Sequence, residues 1–305
     1  MSDNFPQIGI LARPVKHQVA ATGCLERAFK SRGYRVRTSY DATAPEAIVV
    51  CWGWGKAKEV RAKNPEAIIL CLDHGYTWQR KQFVNTAWST PDQKFGLNGF
   101  GEHAVVDDGG ARSREKGWWD ELQPVRERKN KVALLLGQVY GDAMIVDHTE
   151  DYGSWLRYRS EKLQECGLSV VFRPHPQMVL RGQQHRYGNL GRLSANKDLN
   201  DDLLHCSVAV AMNSNALVQA YTFGVPDVVA YNKGTMLWPL IGVPGIAAST
   251  EPEHREKWWG RMAWCQWDYP ELEGGLWLEH HEPIMRRLWE TRKCRPWHET
   301  VEDYT

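Results

Sequence analysis

The chain has 305 residues, 42% of them hydrophobic and 25% charged, with a formal net charge of +1. That length favours two ordinary domains over one, and the composition excludes the disordered and fibrous classes. A balance so near neutrality leaves no bulk basic field for non-specific nucleic-acid binding, so charge neither indicates nor excludes such a partner.

The opening MSDNFPQIGILARP has neither the basic start nor the apolar stretch of a signal peptide. No run approaches the roughly 20 apolar residues of a membrane helix, so the expectation is a cytoplasmic protein with no membrane span. Seven scattered cysteines without a C-x-x-C pair suggest neither a zinc site nor a disulfide framework. QIGILA reads as a short strand, and KHQVAATGCLERAFKSRGYRVRTS as a helix whose apolar spacing stops at Gly33 before another strand, a βαβ opening. EAIVVCWGWGKAKEV repeats strand, glycine-rich turn and helix start, and EAIILCLDHGY gives a further apolar run ending in polar residues. Strands alternating with helices predict a parallel sheet whose ligand sites lie beyond the carboxyl ends of its strands.

From Thr90 to Asn130 the pattern dissolves into glycine, proline and mixed charge, which sets a first domain at residues 1–130. KVALLLGQ, GSWLRYRSEKLQECG, LSVVFRPHP, LHCSVAVAMNSN, ALVQAYTFG and VPDVVAYN then restart the alternation, a second Rossmann-like domain at 131–252. Residues 253–305 read as a helical segment rich in tryptophan, suited to bracing the two domains. The chain carries 15 tryptophans, for which stacking on sugars or bases is one use and an aromatic packing seam the simpler one.

In VVFRPHP the first polar residues after a buried parallel strand emerge at the ligand rim, between prolines that restrict the backbone. Arg173 and His175 there suit phosphate oxygens, one by its fork of donors and the other as a donor or second cation; the plainer alternative is a surface ion pair and a loop histidine. Asn213, Ser214 and Asn215 precede a helix, where they serve as caps and where free N–H groups and the dipole favour an anion. One turn on, Gln219 is placed to reach a ribose.

FRPHP followed by NSNALVQAYTFGVPDVV resembles the C-terminal donor half of GT-B glycosyltransferases, in particular capsule-type sugar transferases and transferases encoded by tailed phages. LLLGQVYGDAMI and RMAWCQWDYPELEGGLW are similar to further blocks of that group, as are LDHGY and FGLNGFGEH. The resemblance implies an α/β protein of two Rossmann-like domains facing across a cleft, the first binding an acceptor and the second a nucleotide sugar. A UDP-sugar is the expected donor, as co-substrate, with no other cofactor. Arg173, His175, Ser214 and the helix start would take its phosphates, and Gln138 and Asp142 would line the same cleft, although Gly141 and Asp142 also suit an ordinary turn. Related enzymes often carry Glu where Gln219 stands. The sequence has no D-x-D motif, which favours arginine, histidine and a helix dipole over a metal ion for the leaving phosphate.

The first domain would then hold the acceptor and the base that removes its hydroxyl proton. Asp73 and His74, ending the strand AIILCL, are the candidates, with a cap and a structural histidine as the alternative. His17, Trp52, Trp54 and Asn98 are placed as acceptor contacts, Asn98 being a turn-former first. The phage resemblance points to hydroxymethylpyrimidine in DNA as acceptor, read in the first domain or by the segment from Arg112 to Lys131, with Trp52, Trp54 or Trp88 stacking on a flipped base. The rival readings are a surface-polysaccharide glycosyl or polyol-phosphate transferase and a non-catalytic nucleotide-sugar-binding protein.

Overall fold

A computed structural model describes residues 6–39, 46–74, 109–146, 149, 151–232 and 234–291, and the backbone of strands at 82–84, 87–89 and 92–97. In chain order the first elements are β1 (Ile8–Leu11), α1 (Lys16–Ser31), β2 (Val36–Ser39), β3 (Ile48–Trp52), α2 (Trp54–Lys63), β4 (Ile68–His74), β5 (Gln82–Val84), β6 (Ala87–Ser89) and β7 (Asp92–Leu97). Next come α3 (Ala111–Glu115), β8 (Val132–Leu136), α4 (Ala143–Val146), α5 (Tyr152–Glu165), β9 (Ser169–Arg173), α6 (Pro176–Leu180), β10 (Arg192–Leu193) and α7 (Leu199–His205). β11 (Val208–Ala211), α8 (Asn215–Thr222), β12 (Asp227–Ala230), α9 (Trp238–Ile241), α10 (Pro252–Met262), β13 (Gln266–Asp268), α11 (Tyr269–Gly274) and α12 (Leu276–Thr291) follow.

The chain divides into two compact α/β units, Met1–Val105 with Ala263–Thr305, and Val106–Met262. The boundaries expected near 130 and 252 both fall inside the second unit. The segment leading to β8 has no long apolar run, yet it is strapped to this unit: the Gln123 N–H donates to Thr222 O at 2.7 Å, and the Arg126 N–H to Gly224 O at 2.9 Å. Trp259 likewise donates its indole N–H to Trp118 O at 2.9 Å.

In the first unit the sheet order is β13-β7-β4-β3-β1-β2. β2, β1, β3 and β4 are parallel, whereas β7 runs antiparallel to β4 and β13 antiparallel to β7. The sequence reading expected a parallel sheet, and it is extended here by two strands: β7 lies where the pattern dissolves, and β13 lies in the segment read as helical. Apolar strand cores explain the parallel part, since β1 is buried throughout and β4 through its first five residues. α1 offers Ala21, Cys24, Leu25, Ala28 and Phe29 as a buried stripe at helical spacing. Trp267, Leu272, Trp277, Leu278, Met285 and Leu288 complete this core, so tryptophans near the C-terminus are largely packing residues.

The second unit holds a five-stranded, wholly parallel sheet of order β10-β9-β8-β11-β12. Its core gathers Leu135, Leu156, Phe172, Met178, Tyr187 and Val210 among others. In both units the order reverses once around the first strand, between β1 and β3 and between β8 and β11. Such switch points open a crevice at the carboxyl ends of the strands, where open α/β sheets bind ligands.

Candidate active site

At the second switch point Gln138 follows β8 and Asn213 follows β11. Val210 pairs with Leu135, so three residues further on Asn213 comes beside Gln138. The two amides join: Gln138 Nε2 donates to Asn213 Oδ1 at 2.5 Å, and Gln138 Oε1 accepts from the Asn213 N–H at 3.1 Å. Two tyrosines fix the same residue through its backbone, Tyr152 Oη accepting from the Gln138 N–H at 3.0 Å and Tyr187 donating to Gln138 O at 2.8 Å. Burial pushes both phenols above their ordinary range, so they stay protonated. Gly137 is required by close approach, because a Cβ there would lie 2.9 Å from Phe172 Cζ.

Ser214 caps α8, its Oγ accepting from the Ala216 N–H at 3.2 Å, and Asn215 is the first residue of that eight-residue helix. His175 caps α6 in a similar way, Nδ1 accepting from the Gln177 N–H at 3.1 Å. That bond makes Nδ1 the acceptor of the cap and fixes the ring at the start of α6. His175 follows β9 and Ser214 follows β11, with β8 between them, so the two positions are about 10 Å apart by strand spacing, with Gln138 in the gap.

Arg173 departs from the expectation that it grips phosphate. Its side chain turns toward the β10 edge of the sheet, away from β11: Nη1 donates to Asn196 O at 3.0 Å and Asp198 O at 3.1 Å, and Nη2 to Lys197 O at 2.9 Å. Nη1 also pairs with Asp202, the two side chains being 14% and 4% exposed. A buried carboxylate and three loop carbonyls are stronger local claims on the guanidinium than the open rim. Gln219 is likewise buried within the fold, its Nε2 donating to Asn200 Oδ1 at 2.7 Å and so tying α8 to α7 instead of reaching a ribose. Asp142 is exposed in a turn, where its backbone N–H donates to Val139 O at 3.2 Å and its carbonyl accepts from the Ile145 N–H at 2.9 Å.

The first unit brings Asp73, His74, His17 and Trp52 together. Trp52 ends β3, Asp73 and His74 end the neighbouring β4, and His17 stands in the first turn of α1. Ring centroids are 5.0 Å apart for His17 and Trp52, 5.1 Å for His17 and His74, and 5.4 Å for Trp52 and His74. The His74 N–H donates to Asp73 Oδ1 at 2.8 Å, which orients the carboxylate. Desolvation lowers the pKa of His17 and the charge of Asp73 pulls it partly back, so these two groups sense each other. Trp54 begins α2, half-buried, after Gly53, whose φ of 78° is a left-handed turn that favours glycine. Asn98 lies outside the described residues, as does the side chain of Trp88.

Beside this cluster a pocket of about 210 Å³ opens at the switch between β1 and β3, lined by Leu11, Ala12, Arg13, Gln18, Trp52, Gly55, Lys56 and Glu59. Of these, Trp52 and Gly55 belong to the glycine-rich turn WGWG that the sequence places at the cleft. Arg13, Gln18, Lys56 and Glu59 sit in runs that read as ordinary solvated turn and helix, and only the strand order shows that they converge. Among the described residues no group of three or more His, Cys, Asp or Glu could hold a metal ion, and no helix is long and apolar enough to cross a membrane.

No protein-family model matches the chain, and no curated protein matches it. Among solved structures it is similar to the beta Kdo 2,7 transferase of Thermosulfurimonas dismutans KpsC, with a TM-score of 0.52 at 14% identity, over 84% of this chain and 90% of that one. It is also similar to the beta Kdo 2,4 transferase of the same organism's KpsC, with a TM-score of 0.54 at 13% identity, over 84% of this chain and 89% of that one. A match over 84% of the chain exceeds either unit alone, so the likeness draws on both. What it establishes is a shared fold: two α/β units, each built on a parallel sheet with helices, as in the GT-B architecture.

Proposed function

We propose that the chain is a GT-B glycosyltransferase of the capsule type, moving a sugar from a nucleotide-sugar donor to a carbohydrate acceptor. The observation that carries this reading is the fold shared through both units with two Kdo transferases. It favours a surface polysaccharide over hydroxymethylpyrimidine in DNA, for which the likeness offers no support, and it makes Kdo the first sugar to try.

The donor phosphate is assigned to the rim between His175 and the start of α8 at Ser214 and Asn215, with the Gln138–Asn213 pair as a fixed floor. Neutral N–H donors aimed in advance at an oxyanion stabilise the leaving phosphate without reorganising. Asp73 is assigned as the base. As the acceptor oxygen bonds to the anomeric carbon, the bond from that carbon to the phosphate oxygen breaks, the electron pair leaves with the nucleotide, and the hydroxyl proton passes to the carboxylate. The amide of His74 holds that carboxylate in one orientation.

The test is to incubate the protein with a panel of nucleotide sugars, activated Kdo included, and either oligosaccharides or hydroxymethylated DNA, then to weigh the products. A lengthened oligosaccharide is expected. Glycosylated nucleosides would overturn the acceptor assignment, and donor binding without transfer to any acceptor would leave a non-catalytic binding protein.

A further inference from the structure

We infer that the pocket at the β1–β3 switch point is an acceptor subsite for one pyranose ring, held with its C–H face toward Trp52. This rests on the reading above and adds to it a place and a chemical class for the acceptor.

Size and chemistry select the ligand. At about 210 Å³ the space is smaller than the roughly 300–1,000 Å³ of pockets for drug-sized ligands, so it suits a single small ring. Its polar groups are of mixed character. Lys56 and Glu59 form an ion pair at 2.5 Å on α2, with side chains 19% and 52% exposed. Gln18 Oε1 accepts from the Arg13 N–H at 3.1 Å, which turns the Gln18 amide NH₂ group away as a donor. A hydroxyl both donates and accepts, so a polyol can satisfy an ammonium, a carboxylate and an amide side by side. A phosphate would meet the Glu59 carboxylate as well as the cationic Arg13 and Lys56, which makes it the rival the experiment has to exclude, and a purely apolar ligand would strip water from four polar side chains without replacing it. Leu11, Ala12 and the Trp52 ring supply the apolar surface that a sugar's C–H face needs.

Position then links binding to chemistry. The Trp52 ring that lines the pocket is also the ring met edge-on by His17 and His74, at 5.0 and 5.4 Å, and His74 is the neighbour of Asp73 in β4. A ring held by Trp52 therefore sits beside the His17–Trp52–His74 aromatic group at the carboxyl ends of β3 and β4.

The experiment uses the full chain with ¹⁵N-labelled tryptophan and follows the Trp52 indole resonance, identified through Trp52→Phe. The probes are methyl glucoside, methyl galactoside, free Kdo and inorganic phosphate at millimolar concentration. At least one sugar is expected to shift that resonance saturably and phosphate is not. Glu59→Gln and Gln18→Ala should each weaken the sugar by about tenfold, the size of one lost hydrogen bond to a charged or fixed group, with unfolding curves recorded beside them. A shift with phosphate alone, no shift with any sugar, or sugar affinity unmoved in both folded variants would overturn the subsite. No donor enters this measurement, so its failure is separable from failure of the transferase reading, which the product assay decides.

Discussion

The two switch points share a topology and differ in chemistry. In the second unit the residues around Gln138 satisfy one another: two amides in a reciprocal pair, two protonated tyrosines and two capped helix starts, with the Arg173–Asp202 pair turned to the sheet edge. In the first unit the rim is titratable and half-open, with two histidines, a carboxylate and an ion pair around one tryptophan. Rigid, mutually satisfied groups suit a site that must hold a ligand in place, whereas a group that takes up a proton must be free to change charge. Under the proposed function the contrast fits binding at one rim and proton transfer at the other.

The largest expected effect lies on the titratable side. Asp73→Asn should lower turnover by roughly 10²–10⁴-fold, the range for loss of a general base, with donor affinity by calorimetry nearly unchanged. Equal losses in both quantities would erase the contrast. In the second unit, Arg173→Ala should act through the fold. Breaking a buried pair leaves Asp202 uncompensated, at a cost of about 3–5 kcal/mol in chemical unfolding. Loss of donor affinity with unchanged stability would return Arg173 to the phosphate. A smaller loss, about 1–3 kcal/mol, is expected for Gln138→Ala, which strands the buried Asn213 amide.

Much of this was legible in the sequence. Apolar runs of strand length alternating with helical stripes predicted both parallel sheets, and the same runs placed Asp73, His74, His175 and Asn213 at or just beyond strand ends. What the sequence could not show was direction. Arg173 and His175 stand two residues apart on one rim, yet the first turns to Asp202 and the second caps a helix, a choice made by α7 and the loop after β10. Lys56 and Glu59 were hidden for a related reason: at i and i+3 on a charged helix they read as a solvated pair, and only the adjacency of β1 and β3 makes them a wall. β13 escaped because three residues between helices are too few to show a period of two.

The smallest expected effect tests the link between His17 and Asp73 directly. Burial lowers the pKa of His17 from its ordinary 6.5, and the Asp73 charge opposes this. Below the ordinary value the unfolded chain binds more protons at this residue than the native state, so stability rises with pH in that window. The contribution from His17 is thus fully present above the unfolded pKa and is lost as pH falls through the lowered native one. Removing the carboxylate takes away the raising influence, so in Asp73→Asn the His17 imidazole should titrate at still lower pH by NMR, and the acid loss of stability should extend further down the scale. A His17 titration unmoved by Asp73→Asn would mean that the carboxylate does not act on this ring, and the first rim would then be a set of neighbours and not a coupled group.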